Sequence, residues 1–75
     1  MINLKLKMLE TYGDLLQHPK APQYLVVMVK MPNDSIEIIT NTDVHGKVAY
    51  YREAYDDEFR LKSNPEVQII NFMMI

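Results

Sequence analysis

The chain contains no cysteine. This excludes disulfides and cysteine-ligated zinc, and it fits a reducing cytoplasm. It also lacks a long apolar run. The longest is about nine residues, against the roughly twenty a membrane-crossing helix needs. Met1-Ile2-Asn3-Leu4-Lys5 shows no apolar signal core, so no secretory leader is expected. Basic excess is missing too. Eight basic residues face ten acidic ones for a formal charge of −2, whereas a dedicated nucleic-acid binder usually carries a basic face. Glycine is scarce, at two residues, and 48% of the chain is hydrophobic, a globular rather than disordered balance.

What is present is one short domain. At 75 residues the chain hides only about 60% of the surface its unfolded form exposes, so its core alone is marginal. Leu4, Met8, Leu9, Tyr12, Leu15 and Leu16 recur mostly at three- and four-residue steps, predicting a helix over roughly 4–17 that Pro19 and Pro22 end by about His18. The same opening residues also alternate, Ile2, Leu4, Leu6 and Met8 against Asn3, Lys5 and Lys7, as a strand would. Residues 23–31 are β-branched and apolar on both faces, the pattern of a central strand. Pro32-Asn33-Asp34-Ser35 has turn chemistry, and Ser35 to Thr40 returns as a half-apolar edge strand.

Thr42 or Asp43 can cap a second helix running to about Leu61, with Gly46 a weak spot. Its core stripe is Val44, Val48, Tyr51, Tyr55 and Phe59. Ser63-Asn64-Pro65 ends it, and Val67 to Ile75 form a last strand with two mostly apolar faces, one carrying Val67, Ile69, Asn71, Met73 and Ile75, the other Gln68, Ile70, Phe72 and Met74. Both need covering, by the chain itself or by a partner. The expected fold is α+β in the order α-β-β-α-β, a three-stranded sheet of spatial order 2-1-3 with helices packed on it. The alternative is a ferredoxin-like βαββαβ sandwich that uses residues 2–8 as a strand; it would move residues 23–31 to an edge, which their composition disfavours.

No nucleophile–base set is visible. Ser35 and Ser63 sit in turn contexts without a neighbouring histidine, and His18 and His45 fall short of the three or four ligands zinc takes. Asp56-Asp57-Glu58 point about 100° apart on a helix, do not converge on one ion, and read as a solvated face. No catalytic residue, metal or cofactor is therefore expected. Tyr50, Ala54 and Leu61 make a second, smaller apolar strip beside the core stripe. Tyrosine beside aliphatic residues suits a protein interface if exposed and the core edge if not.

The second half, from Asn41-Thr42-Asp43 through Tyr50-Tyr51-Arg52-Glu53-Ala54 to Asn64-Pro65, and above all Tyr55-Asp56-Asp57-Glu58-Phe59-Arg60-Leu61-Lys62, resembles small uncharacterised phage and prophage proteins of low-GC Gram-positive bacteria. The resemblance covers under half the chain and carries no functional motif. It implies a bacterial cytoplasm and a role in host takeover or counter-defence. The strand–strand–helix–strand order is also similar to that of small phage inhibitors of host DNA-repair glycosylases, in topology alone. The expectation is a non-enzymatic protein-binding protein, an inhibitor or modulator that docks on a host or phage protein and forms a homodimer, with no membrane association. Tyr50, Ala54, Leu61, Ile70, Phe72 and Met74 are the candidate contacts. An accessory nucleic-acid-binding protein is the alternative.

Overall fold

A computed structural model of the chain describes residues 3–17 and 21–75. The opening ambiguity resolves as a helix, α1, Leu4–Leu16. Asn3 decides its start, because the Asn3 Oδ1 accepts from the Leu6 N–H at 3.0 Å and satisfies one of the free donors of the first turn. Residues 4–8 are thereby helical, which removes the opening strand that the ferredoxin-like alternative needs. The helix ends at Leu16 with Gln17 as its cap, in keeping with the stop expected by about His18; His18 and Pro19 themselves lie outside the described residues. No helix among the described residues is long and apolar enough to cross a membrane.

Two strands follow, β1 (Leu25–Lys30) and β2 (Ile36–Asn41), paired antiparallel with Val27 opposite Ile39 and Lys30 opposite Ile36. Asn33 and Asp34 build the connection. The Asn33 Oδ1 accepts from the Ser35 N–H at 3.2 Å and the Ser35 hydroxyl at 2.6 Å, while Asp34 takes the left-handed φ of 66° that aspartate tolerates. An exposed Lys30–Asp34 ion pair at 3.4 Å adds little.

The second helix, α2, runs Val44–Ala54. Asp43 is its cap: the Asp43 Oδ1 accepts from the Gly46 N–H at 3.1 Å, and a Cβ on Gly46 would collide with the Asp43 carboxylate. Glycine, a weak spot by helix propensity, is here the residue that leaves room for the cap.

The extension of this helix to Leu61 is corrected. Tyr55 is already extended, at φ −113° and ψ 144°. Asp56 then folds the chain into a tight turn, its Oδ1 accepting from both the Glu58 and Arg60 N–H groups at 2.9 Å. A carboxylate that bonds backbone groups just ahead of it offers the chain an alternative to the helix, and here that alternative wins. Asp56-Asp57-Glu58 is thus a turn and not a helix face. Out of it comes a two-residue strand, β3 (Arg60–Leu61), absent from the expected element order, and then β4 (Asn64–Met74).

The fold is α+β, two helices and a four-stranded antiparallel sheet of order β2-β1-β4-β3. The expected strand order is kept, with the last long strand beside β1 and β2 on the edge, and β3 adds a fourth member. Leu25, Val27 and Val29 of β1, Val67 and Ile69 of β4, Met8 of α1, Val44, Val48 and Tyr51 of α2, and Tyr55 and Phe59 of the turn are buried in one cluster. Both helices therefore lie on the same side of the sheet. The polar core contact is Asn41, whose amide donates to the Leu25 carbonyl at 3.1 Å and the Tyr51 hydroxyl at 3.2 Å. Two further bonds tie α1 down: Lys5 Nζ donates to the Tyr55 carbonyl at 2.6 Å, and the Tyr12 hydroxyl meets His45 Nδ1 at 2.7 Å.

Edge-to-face rings link Tyr51, Tyr55 and Phe59, with centroids 5.6 and 5.9 Å apart. Burial, reinforced by the neighbouring Tyr50 and Tyr51, pushes the Tyr55 phenol up to about 12, and burial also raises that of Tyr51. The folded state then holds these protons more tightly than the unfolded chain, whose phenols titrate near about 10. Stability should accordingly be intact below that value and fall as pH rises through about 12. Urea midpoints measured against alkaline pH are expected to decline over this window and to decline less in Tyr55→Phe. An identical decline in the variant would remove Tyr55 as the source.

Candidate protein-docking face

With both helices on one side, the other side of the sheet has no cover among the described residues. Strand geometry sends alternate side chains to opposite faces. Leu25, Val27 and Val29 point under the helices, so Val26, Met28 and Lys30 point away. Their partners on β2, across the register, are Thr40, Ile38 and Ile36. On β4 they are Met73, Asn71 and Gln68. A shallow groove of 340 Å³ runs along this face, lined by Val26, Met28, Ile38, Asn71, Phe72 and Met73. Ile38 and Met73 are exposed by 66% and 54%. The face is apolar through its middle and charged at its margin, by Lys30 of β1 and by Arg60 of β3, which pairs with Gln68 on the same side.

The face belongs to a different set of β4 residues than strict alternation suggests, and a β-bulge is the reason. Met28 sits opposite Asn71 but Val29 opposite Ile69, so Ile70 is the extra residue between them. The bulge exchanges the two faces halfway along the strand. Val67 and Ile69 point under the helices before it; Phe72 and Met74, from the other alternating set, pack on the core after it. Asn71 and Met73 move to the open side. One signal for this is in the sequence. Gln68 and Asn71 are three apart, an odd spacing that regular alternation assigns to opposite faces and a bulge reconciles with a single solvated one.

The six candidate contacts consequently divide. Tyr50 is exposed by 47%, and its ring stands edge-on to Tyr51 at 5.2 Å with Lys47 Nζ 5.5 Å from its centroid. Ala54 and Leu61 are half-buried against the core and lie near one another, since the Lys62 N–H donates to the Ala54 carbonyl and Tyr55 bridges to Leu61. Ile70 is exposed at the bulge, whereas Phe72 and Met74 are half-buried on the helix side. These residues do not form one surface. Val26, Met28, Ile36, Ile38 and Met73 do.

Other surfaces offer less chemistry. An open cleft of 740 Å³ beside the start of α1 is lined by Asn3, Leu4, Asp57, Glu58, Gln68, Ile69 and Ile70, with two carboxylates and no histidine, lysine, hydroxyl or thiol among them. No group of three or more His, Asp or Glu side chains able to hold a metal ion occurs among the described residues. Several basic residues are engaged by neighbours: Lys5 by Tyr55, Lys30 by Asp34, Arg52 by Glu53, Arg60 by Pro65 and Glu58, Lys47 by Tyr50. His18 lies outside the described residues, and His45 is engaged with Tyr12. No protein-family model matches this chain, and neither a curated protein nor a solved structure matches it, so the geometry alone carries the functional reading.

Proposed function

We propose that the chain is a small non-enzymatic binding protein that docks on another protein through the helix-free face of its sheet, as an inhibitor or modulator of that partner. The observation that carries this reading is the apolar row Val26, Met28, Ile36, Ile38 and Met73 on a face that neither helix covers. Exposed apolar surface gathered in one place marks an interaction site more often than scattered hydrophobes do. The phage association and bacterial-cytoplasm setting rest on the resemblance of the second half of the chain. An open four-stranded sheet also suits single-stranded nucleic acid when it presents stacking aromatics and cations. Here the row is aliphatic and thioether, with Lys30 and Arg60 at its margin, and nothing in it favours that second reading.

Immobilised wild-type protein should retain from bacterial lysate a protein that Met28→Lys and Met73→Lys variants fail to retain. Both changes put a charge on the open face and leave the helix side alone. Equal retention by wild type and variants would falsify the assignment of this face. Retention of nucleic acid that falls steeply with added salt would replace it with the alternative.

A further inference from the structure

The geometry points to the outer edge of β2 as a self-pairing interface: we infer that β2 of one chain pairs antiparallel with β2 of a second copy, about a two-fold axis through Ile38, joining the two sheets into one. Four observations converge on this edge. The strand order leaves β2 outermost, with nothing paired to its far side among the described residues. The Met31 N–H donates to the Ser35 carbonyl at 2.8 Å, and this sets the phase of the hairpin ladder. By alternation Glu37, Ile39 and Asn41 turn their backbone groups toward β1, while Ile36, Ile38 and Thr40 present theirs outward. Ile38 is also the most exposed large apolar side chain among the described residues, at 66%, with Ile36 at 47% beside it.

Of the devices that keep edges apart the strand has one, the single charge of Glu37 opposite Val29 on the helix side; it contains no proline, no lysine and no bulge. The other side of the sheet shows what protection looks like here. There β3 covers the first part of β4, and further along the Asn71 Oδ1 accepts from the Phe72 N–H at 2.9 Å.

A second copy is the occupant because the strand is complementary to itself. With the axis on Ile38, Ile38 meets its own copy, Ile36 meets Thr40, and the single charge, Glu37, falls opposite Ile39 rather than opposite another Glu37. Placing the axis on Glu37 instead would set two carboxylates face to face, which is unfavourable. The paired copies extend the apolar row of Ile36 and Ile38 across the junction, and a marginal 75-residue core gains buried surface. The edge shares Ile36 and Ile38 with the open face proposed for docking but pairs through the backbone of β2, so Met28→Lys and Met73→Lys, which change the face away from the edge, separate the two readings.

Sedimentation velocity over a concentration series tests the pairing. The wild type should move as twice its 8.8 kDa mass. Ile38→Lys and Ile38→Glu each place like charges across the axis and should weaken association by at least about tenfold. Mixed in equal amounts, the two variants should associate again, because residue 38 of one then faces residue 38 of the other. Ile38→Pro removes an N–H that points outward, which an edge strand tolerates, and should give a folded monomer by circular dichroism. Met28→Lys and Met73→Lys should remain dimers. A wild type that stays monomeric throughout the series overturns the inference; so does undiminished dimerisation of both charged variants, or their failure to associate on mixing.

Discussion

Replacing Phe59 with alanine is expected to remove about 3–5 kcal/mol of stability, the range for truncating a buried aromatic ring. A 75-residue domain holds only about 4–11 kcal/mol in total, so the variant should lose from about a quarter of that stability to all of it. Phe59 is 1% exposed, the largest of the fully buried side chains, and its ring stacks edge-on to Tyr55. It also joins strands, since its carbonyl accepts from the Ile69 N–H at 2.9 Å. The backbone makes the prediction more specific. Phe59 sits at φ 62°, a left-handed conformation that costs a residue with a Cβ roughly 1–2 kcal/mol. Alanine keeps that cost and glycine does not. Phe59→Gly should therefore be more stable than Phe59→Ala by about 1 kcal/mol, the reverse of the usual order outside turns. Urea unfolding of the two variants beside wild type checks both statements. A loss under about 1.5 kcal/mol in Phe59→Ala, or glycine below alanine, would show that the ring and its turn do not hold the core as described.

Asn41→Asp should produce the second large effect, and one that depends on pH. The Asn41 amide donates to the Leu25 carbonyl and the Tyr51 hydroxyl from a site 8% exposed. An ionised carboxylate there has lost its donor and faces the Leu25 carbonyl oxygen in a desolvated setting. Burial raises the pKa of such a carboxyl group, so the folded variant holds its proton to a higher pH than the unfolded chain, near about 3.9. The sign follows. Stability is retained below that unfolded value and lost as pH rises through the raised folded value. At neutral pH the expected loss is about 3 kcal/mol, the free energy of a shift of roughly two units. Thermal midpoints of wild type and variant should converge in mild acid and separate toward neutrality. Parallel curves would mean that the residue is better solvated than its contacts imply.

Much of this architecture is legible in the residues, and the parts that are not share a cause. The three- and four-residue spacing of Leu4, Met8, Leu9 and Tyr12 leads to α1, and the two-sided apolarity of residues 23–31 leads to a central β1. The stripe Val44, Val48, Tyr51, Tyr55 and Phe59 is buried throughout. Phe59, however, reaches the core from the turn that Asp56 builds and not from the helix. Periodicity reports which side chains face inward, and a turn that returns the chain to the same place satisfies that pattern as well as another helical turn does. β3, at two residues, is too short to leave a pattern.

Local chemistry, acting over a few neighbours, thus determined the elements: caps at Asn3 and Asp43, the hairpin at Asn33 and Asp34, the apolar spacing of each helix and strand. Placement of the second helix relative to the first is a non-local matter, and only the tertiary structure decided it. The apolar end of β4 could be sealed between two helices or left open on one side, and either arrangement is compatible with the same residues. Both helices chose one side. The bulge at Ile70 then exchanged Phe72 and Met74 for Asn71 and Met73 on the open face, because a single unpaired residue inverts every side chain beyond it.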